Sequence, residues 1–260
     1  MVAGIALLLT FLFFQQGAVD SGQHNRFTSD LRLMNELDAE INQDLLKSRY
    51  EMLGSYDPFV VRLRKMQSVR DDLRAIPLFI KGRPRGEMEQ LLRKESDLLT
   101  QKERLLETFK SENAILKNSL RYFPVLITES SRAAAKAGDL ELQDTLKDLL
   151  RDVLLFDRTP HSGLTKELNS EILRLSQNIA QHPQRATKVA LNSAVAHART
   201  IFRVKPIVEN SIEQLNSIPS ASAIDNIFNI YTGHYEHAQR ISNIYRFFLF
   251  LVAVATKALR

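Results

Sequence analysis

Apolar residues recur every three or four positions through most of the chain, while the strict alternation that marks a strand is rare. Glycine and proline interrupt this pattern at only a few places. The pattern therefore predicts an all-α protein in which Glu87–Tyr122 and Arg185–Leu215 form long helices. The predicted breaks between helices fall near residues 77–86, 124–138, 157–164 and 216–222.

Local signals place the ends of the first helices. Ser29 or Asp30 is suited to cap a first helix that runs to about Met52, and Asp57 followed by proline is a start signal for a second. A helix of about 35 residues spans roughly 50 Å, which is more than one compact four-helix layer needs. We therefore expect two stacked antiparallel helical bundles that share the long helices.

Both ends of the chain are apolar. Residues 1–14 contain no charge, and the absence of a basic segment before them favours a transmembrane anchor over 1–17 rather than a cleaved signal peptide. Residues 247–256 are also uncharged, which indicates the truncated start of a second transmembrane helix over 243–260. Two flanking membrane helices would place residues 25–242 in the periplasm of a bacterium, held at the inner membrane.

The composition excludes several classes of function. The chain has no cysteine, so a disulfide scaffold, a thiolate nucleophile and a cysteine-ligated zinc site are ruled out. Its 35 basic and 30 acidic residues are intermixed without a basic stripe, which argues against a nucleic-acid partner. His234 and His237 lack a carboxylate spaced to complete a metal site. We find no catalytic motif, and we expect neither an enzyme, a cofactor nor a metal in this chain.

Polar residues interrupt the predicted apolar faces. Asn42 and Arg49 lie within the leucine stripe of the first helix, and Asn113 lies within that of the long third helix. Asn118 and Tyr122 lie on the shoulders of the same stripe. If the two helices pack together, these five side chains line one cavity that binds a small polar or anionic ligand.

A closed structural network is the alternative to such a pocket. A buried guanidinium needs a partner, because burial of an isolated charge is costly. Asp44 or Asp57 could pair with Arg49 inside the protein, or an anionic ligand could bind it through two hydrogen bonds. The sequence leaves both interpretations open.

Four segments together resemble the double all-helical ligand-binding (DAHL) domain. They are found, in chain order, at Leu37–Pro58, Phe109–Pro124, His197–Pro206 and Tyr235–Phe250. The resemblance implies two helical bundles outside the cytoplasm that serve as the sensor region of a bacterial signalling protein. It further implies a cytoplasmic histidine kinase or diguanylate cyclase module beyond this chain. The resemblance assigns no ligand to particular residues, but it strengthens the pocket interpretation for Asn42, Arg49, Asn113 and Asn118.

Two hypotheses for the function follow. In the first, the chain is the extracytoplasmic ligand-sensing region of a membrane-bound receptor, a sensor histidine kinase that works as a homodimer. In the second, it is a membrane-tethered helical scaffold that binds other proteins and has no small-molecule ligand. The residues that follow Arg260 in the full coding sequence would separate the two.

Overall fold

The computed structural model describes residues 10, 19–50, 52–158, 162–181 and 185–258. Within these ranges the chain is helical and contains no strand, which confirms the predicted all-α class. The helices are α1 (Ser21–Arg49), α2 (Asp57–Leu73), α3 (Arg83–Lys136), α4 (Leu140–Arg158), α5 (Ser162–Gln181), α6 (Arg185–Ser217) and α7 (Ser220–Ala258).

Helix α1 begins earlier than its sequence signals predict. The carboxylate of Asp20 caps it, because Oδ1 accepts hydrogen bonds from the backbone N–H groups of Gly22 (2.7 Å) and Gln23 (3.4 Å). The predicted start at Ser29 or Asp30 is therefore wrong. The buried face already begins at Phe27, so packing extends the helix towards the N-terminus.

Helix α3 continues through Pro124, where a break at 124–138 was predicted. Proline removes one backbone hydrogen bond inside a helix, but the neighbouring Phe123 and Ile127 are fully buried and hold the segment in place. The break lies instead at Gly138, whose φ of +76° suits glycine. There the N–H of Asp139 binds the carbonyl of Ala134 at 3.0 Å, as in a Schellman cap.

The helices form two compact units. The first unit contains α1, α2, α3 up to Glu103, and α7; the second contains α3 from Arg104 together with α4, α5 and α6. Each unit has an apolar core of its own. The core of the first unit includes Met34, Ile41, Phe59, Leu99 and Ile227, and that of the second includes Phe109, Phe123, Leu149, Phe156 and Ile201.

The buried side chains of α3 recur with a spacing of seven residues, which is the spacing of a coiled-coil seam. The series consists of Met88, Glu95, Lys102, Phe109, Leu116, Phe123 and Ser130, all of which are buried. Two of its members, Glu95 and Lys102, are ionisable. The first unit therefore encloses charged groups on the face that elsewhere carries leucine and phenylalanine.

Of the two predicted membrane segments, the structure describes most of the second but only Thr10 of the first. The anchor predicted at 1–17 lies outside the described residues apart from Thr10, whereas the segment predicted at 243–260 forms the end of α7 as far as Ala258. In the part of the chain that the structure describes, no helix has an apolar stretch long enough to cross a bilayer. The large apolar side chains near the end of α7 are nevertheless exposed: Ile244, Phe247, Phe248, Phe250, Leu251 and Val254.

Candidate functional site

A buried ionic network joins three helices of the first unit. Asp38 on α1 accepts a hydrogen bond from Lys102 Nζ of α3 at 2.6 Å and another from Ser220 Oγ of α7 at 2.7 Å, both at Oδ1. Asn42 Nδ2 approaches the other carboxylate oxygen at 3.4 Å. Asp38 and Lys102 are 2% and 1% exposed, so the pair is shielded from water.

Burial makes this network sensitive to the loss of any member. A buried ion pair contributes little net stability when it is intact, because desolvation offsets most of the attraction. Removing one partner is costly, since the other charge stays buried without compensation. Ser220 is the first residue of α7, so the network fixes where that helix begins relative to α1 and α3.

Glu95 lies one heptad before Lys102 on the same face of α3. Burial raises the pKa of its carboxyl to about 7, with a further increase from Asp38 and an opposing decrease from Arg70. Its Oε2 atom is buried and accepts no hydrogen bond in the described part of the chain. The first unit thus contains a carboxyl group that changes its charge near neutral pH.

Ion pairs at the edge of the first unit connect α1 to α2. Arg62 of α2 binds Glu40 through Nε at 2.6 Å and Asp44 through Nη1. Lys47 adds a longer contact to Asp44 at 3.6 Å. Asp44, which the sequence offered as a partner for Arg49, is therefore engaged by Arg62 and Lys47.

An aromatic cluster joins α1 to α7 at a second position. His24 Nδ1 lies 3.2 Å from the hydroxyl of Tyr231, and the His24 ring stacks on Tyr235 with centroids 3.5 Å apart. Burial, assisted by Arg32, lowers the pKa of His24, so the neutral imidazole is favoured. Burial also raises the pKa of Tyr231. The cluster therefore stabilises the α1–α7 contact without a charge.

The second unit has polar contacts of its own. His197 of α6 lies 3.3 Å from the hydroxyl of the buried Ser119 on α3, and its ring stacks on Tyr122 at a centroid distance of 6.1 Å. Elsewhere in the unit, the partly buried Asp157 and Glu209 bind Lys205 at 3.0 and 3.1 Å. These contacts connect α3 to α6 and α4 to α6.

The five residues predicted to bind a ligand are divided between the two units. Asn42 and Arg49 belong to the first unit, where both are half-buried. Asn113, Asn118 and Tyr122 belong to the second. Their proposed joint role in one cavity stays a prediction.

The surroundings of these residues differ from one to the next. Asn42 joins the Asp38 network, and its Oδ1 atom is buried without a hydrogen-bond donor in the described chain. The guanidinium of Arg49, the last residue of α1, lies 5.4 Å from the ring centroid of Tyr50. Asn113 is buried as predicted, whereas Asn118 and Tyr122 are exposed.

The sequence did not point to four buried polar residues that form or adjoin the ionic network of the first unit: Asp38, Glu95, Lys102 and Ser220. The segment around Glu95 and Lys102 was interpreted as a solvated surface because its charges are of mixed sign. A count in steps of seven from Met88 would have placed both residues on the buried face. No comparable signal in the sequence identifies Ser220.

The described residues offer no metal centre, because no three histidine or carboxylate side chains among them are grouped to hold an ion. What they provide is an all-helical domain with buried, charged contacts between helices. A family model for the DAHL domain matches residues 19–246, and the chain belongs to this family. The family is one of helical sensor domains of signalling proteins. No solved structure matches the chain.

Proposed function

We propose that the chain is the extracytoplasmic ligand-sensing region of a membrane-bound bacterial receptor whose output module is a histidine kinase. Membership of the DAHL family supports the sensing role. The observation that carries the proposal is the course of α7. This helix of 39 residues begins in the buried Asp38 network and ends in a segment rich in exposed phenylalanine.

A sensor of this kind needs two arrangements of α7 that a ligand can distinguish. A ligand shifts such an equilibrium only by the difference between its affinities for the two states. Ser220 and Tyr231 contact α1 near the start of α7, so a change in the packing of α1 and α3 reaches α7 directly. The remainder of α7 then carries the displacement towards its apolar end.

Membrane attachment is the second part of the proposal. The apolar side chains at the end of α7 are exposed in the chain itself, and a lipid phase would cover them at a gain of about 25 cal/mol per Å². A complete span needs about 20 apolar residues, which is more than the apolar end of α7 provides within the described residues. Residues 1–17 supply the first anchor, and the domain lies in the periplasm.

A scaffold that binds protein is the second candidate function. Ile115, Tyr122 and Val125 are 40%, 51% and 52% exposed on α3 of the second unit. Their spacing of seven and three residues places them along one side of the helix. Such a stripe suits the packing of another helix, including that of a second copy in a homodimer.

The absence of cysteine allows the location to be tested with single-cysteine variants of the chain. Ser111 is exposed and Ser119 is 3% exposed on the same helix, so Ser111→Cys is the reporter and Ser119→Cys is the matched control. A maleimide that cannot cross the inner membrane is added to cells with a permeabilised outer membrane. We expect it to label Ser111→Cys at once and Ser119→Cys only after denaturation. Labelling of Ser111→Cys only after the inner membrane is lysed would contradict a periplasmic location.

A further inference from the structure

A groove of about 340 Å³ lies between the end of α2 and the early turns of α3 in the first unit. Three arginines line it: Arg70 lies in the last turn of α2, Arg74 follows directly after that helix, and Arg93 comes from α3. Ile76 and Leu92 contribute apolar surface to the same groove. Its volume is near the lower end of the range for small-molecule sites, which is about 300 to 1,000 Å³.

The protein satisfies the guanidinium groups of this groove only in part. Arg70 and Arg74 share a single carboxylate oxygen, Asp71 Oδ1, at the long distances of 3.7 and 3.4 Å. Arg70 Nε is buried and donates no hydrogen bond in the described part of the chain. Arg93 has no ion pair among the described residues. A buried guanidinium donor without an acceptor is unfavourable, so the arrangement favours an added anion.

The carboxylate that does line the groove has a partner of its own. Glu89 Oε1 lies 3.3 Å from Arg85 Nε, one helical turn earlier on α3. Counted with these neighbours, the four arginines face two carboxylates, Asp71 and Glu89, and the buried carboxyl of Glu95 interacts with Arg70. While Glu95 is protonated, the excess is two positive charges. The Ser96 hydroxyl adds a donor that has no charge.

We propose that this groove binds a small organic dicarboxylate. A guanidinium group matches a carboxylate through two parallel hydrogen bonds, and the excess charge matches a dianion. Short aliphatic carbons between the two carboxylates would contact Leu92 and Ile76, which a purely inorganic anion would leave exposed to water. The idea that the groove is the input site of a receptor rests on the proposed function. The binding of a dicarboxylate to the groove does not depend on it.

Arg70 connects the groove to the interior of the first unit. It is the positive neighbour that acts on the buried carboxyl of Glu95, and Asp38 of the ionic network is the negative one. A carboxylate bound to Arg70 therefore changes the field at Glu95, one heptad from Lys102. An anion in the groove would thus act electrostatically on Glu95, which also interacts with Asp38 of the network at the start of α7.

Isothermal titration calorimetry of the purified 260-residue chain in mild detergent tests the proposal, with succinate as the probe. Two further ligands are titrated for comparison. Butyrate has the same carbon skeleton with one carboxylate fewer, and sulfate is an inorganic dianion. Arg93→Ala removes an exposed guanidinium, and Arg70→Lys keeps the charge while losing the planar donor. Arg64→Ala is the control, because Arg64 is an exposed arginine of α2 that does not line the groove.

We expect saturable binding of succinate, at least tenfold weaker binding of butyrate and sulfate, and at least a tenfold loss in both Arg93→Ala and Arg70→Lys. Arg64→Ala binds like the wild type. Circular dichroism establishes that each variant is folded. The absence of succinate binding, equal binding of sulfate, or wild-type affinity in Arg93→Ala would overturn the proposal. None of these results bears on the cysteine-labelling test, so a failure of the groove is distinguishable from a failure of the proposed location.

Discussion

The replacement of Glu95 by glutamine tests whether folding raises the pKa of its buried carboxyl. Glutamine keeps the shape of the side chain and cannot ionise. Burial raises the pKa of Glu95 from its ordinary value of 4.5 to about 7, so folding favours the protonated form. The wild type then becomes less stable as the pH rises, and Glu95→Gln does not share that loss.

The magnitude follows from the difference between the two pKa values. Below pH 4.5 the carboxyl is protonated in both the folded and the unfolded chain, so it adds no pH dependence. Between pH 4.5 and 7 only the unfolded chain releases the proton, and each pH unit lowers the free energy of unfolding by about 1.4 kcal/mol. Above pH 7 the accumulated loss is constant at about 3 kcal/mol.

Urea denaturation followed by circular dichroism at pH 4.5 and pH 8 measures the effect. We expect Glu95→Gln to match the wild type at pH 4.5 within about 0.5 kcal/mol and to exceed its free energy of unfolding by about 3 kcal/mol at pH 8. Glu87→Gln, at an exposed position of the same helix, is the control and shows no such divergence. If Glu95→Gln were less stable than the wild type at pH 8, Glu95 would be a stabilising ionised partner of Arg70, and the reasoning would be refuted.

Two further predictions concern the interior and the helix ends. Asp38→Ala leaves Lys102 buried without its partner, and we expect urea denaturation to show a loss of about 3 to 5 kcal/mol; a loss below 1 kcal/mol would contradict the buried pair. Gly138→Ala is expected to lower the free energy of unfolding by about 1 kcal/mol because its φ is +76°. Gly233→Ala, inside α7, is expected to raise it by up to about 1 kcal/mol, and equal effects of the two alanines would exclude the backbone explanation.

The helical class and the family could be predicted because they depend on many residues at once. The apolar period of α3 and α6 extends over dozens of positions, so no single substitution obscures it. Single-residue signals were less reliable. Pro124 was expected to end a helix, yet the burial of Phe123 and Ile127 outweighs the one hydrogen bond that proline removes.

The candidate site was harder to predict because charged residues are ordinarily assigned to the surface. Lys102 is buried only because Asp38, distant in sequence, lies opposite it, and a sequence pattern does not show which carboxylate that is. Asn113 was correctly placed on a buried face, since its position follows from the apolar residues around it on α3. The arginines of the groove come from the end of α2, the residue that follows it and α3, and the turn between these helices brings them together.

In the proposed sensor, α7 adopts different positions relative to α1 according to how α1 and α3 pack in the first unit. Spin labels at Glu36→Cys and Asn226→Cys, two exposed sites on α1 and α7 in a chain without other cysteines, report the distance between these helices. Electron–electron double resonance is recorded for the labelled chain, for the same chain with succinate, and for the same chain with Asp38→Asn. A sensor predicts that succinate and Asp38→Asn each shift the distance distribution. An identical distribution in all three samples would show that α7 is rigidly fixed and would contradict the account.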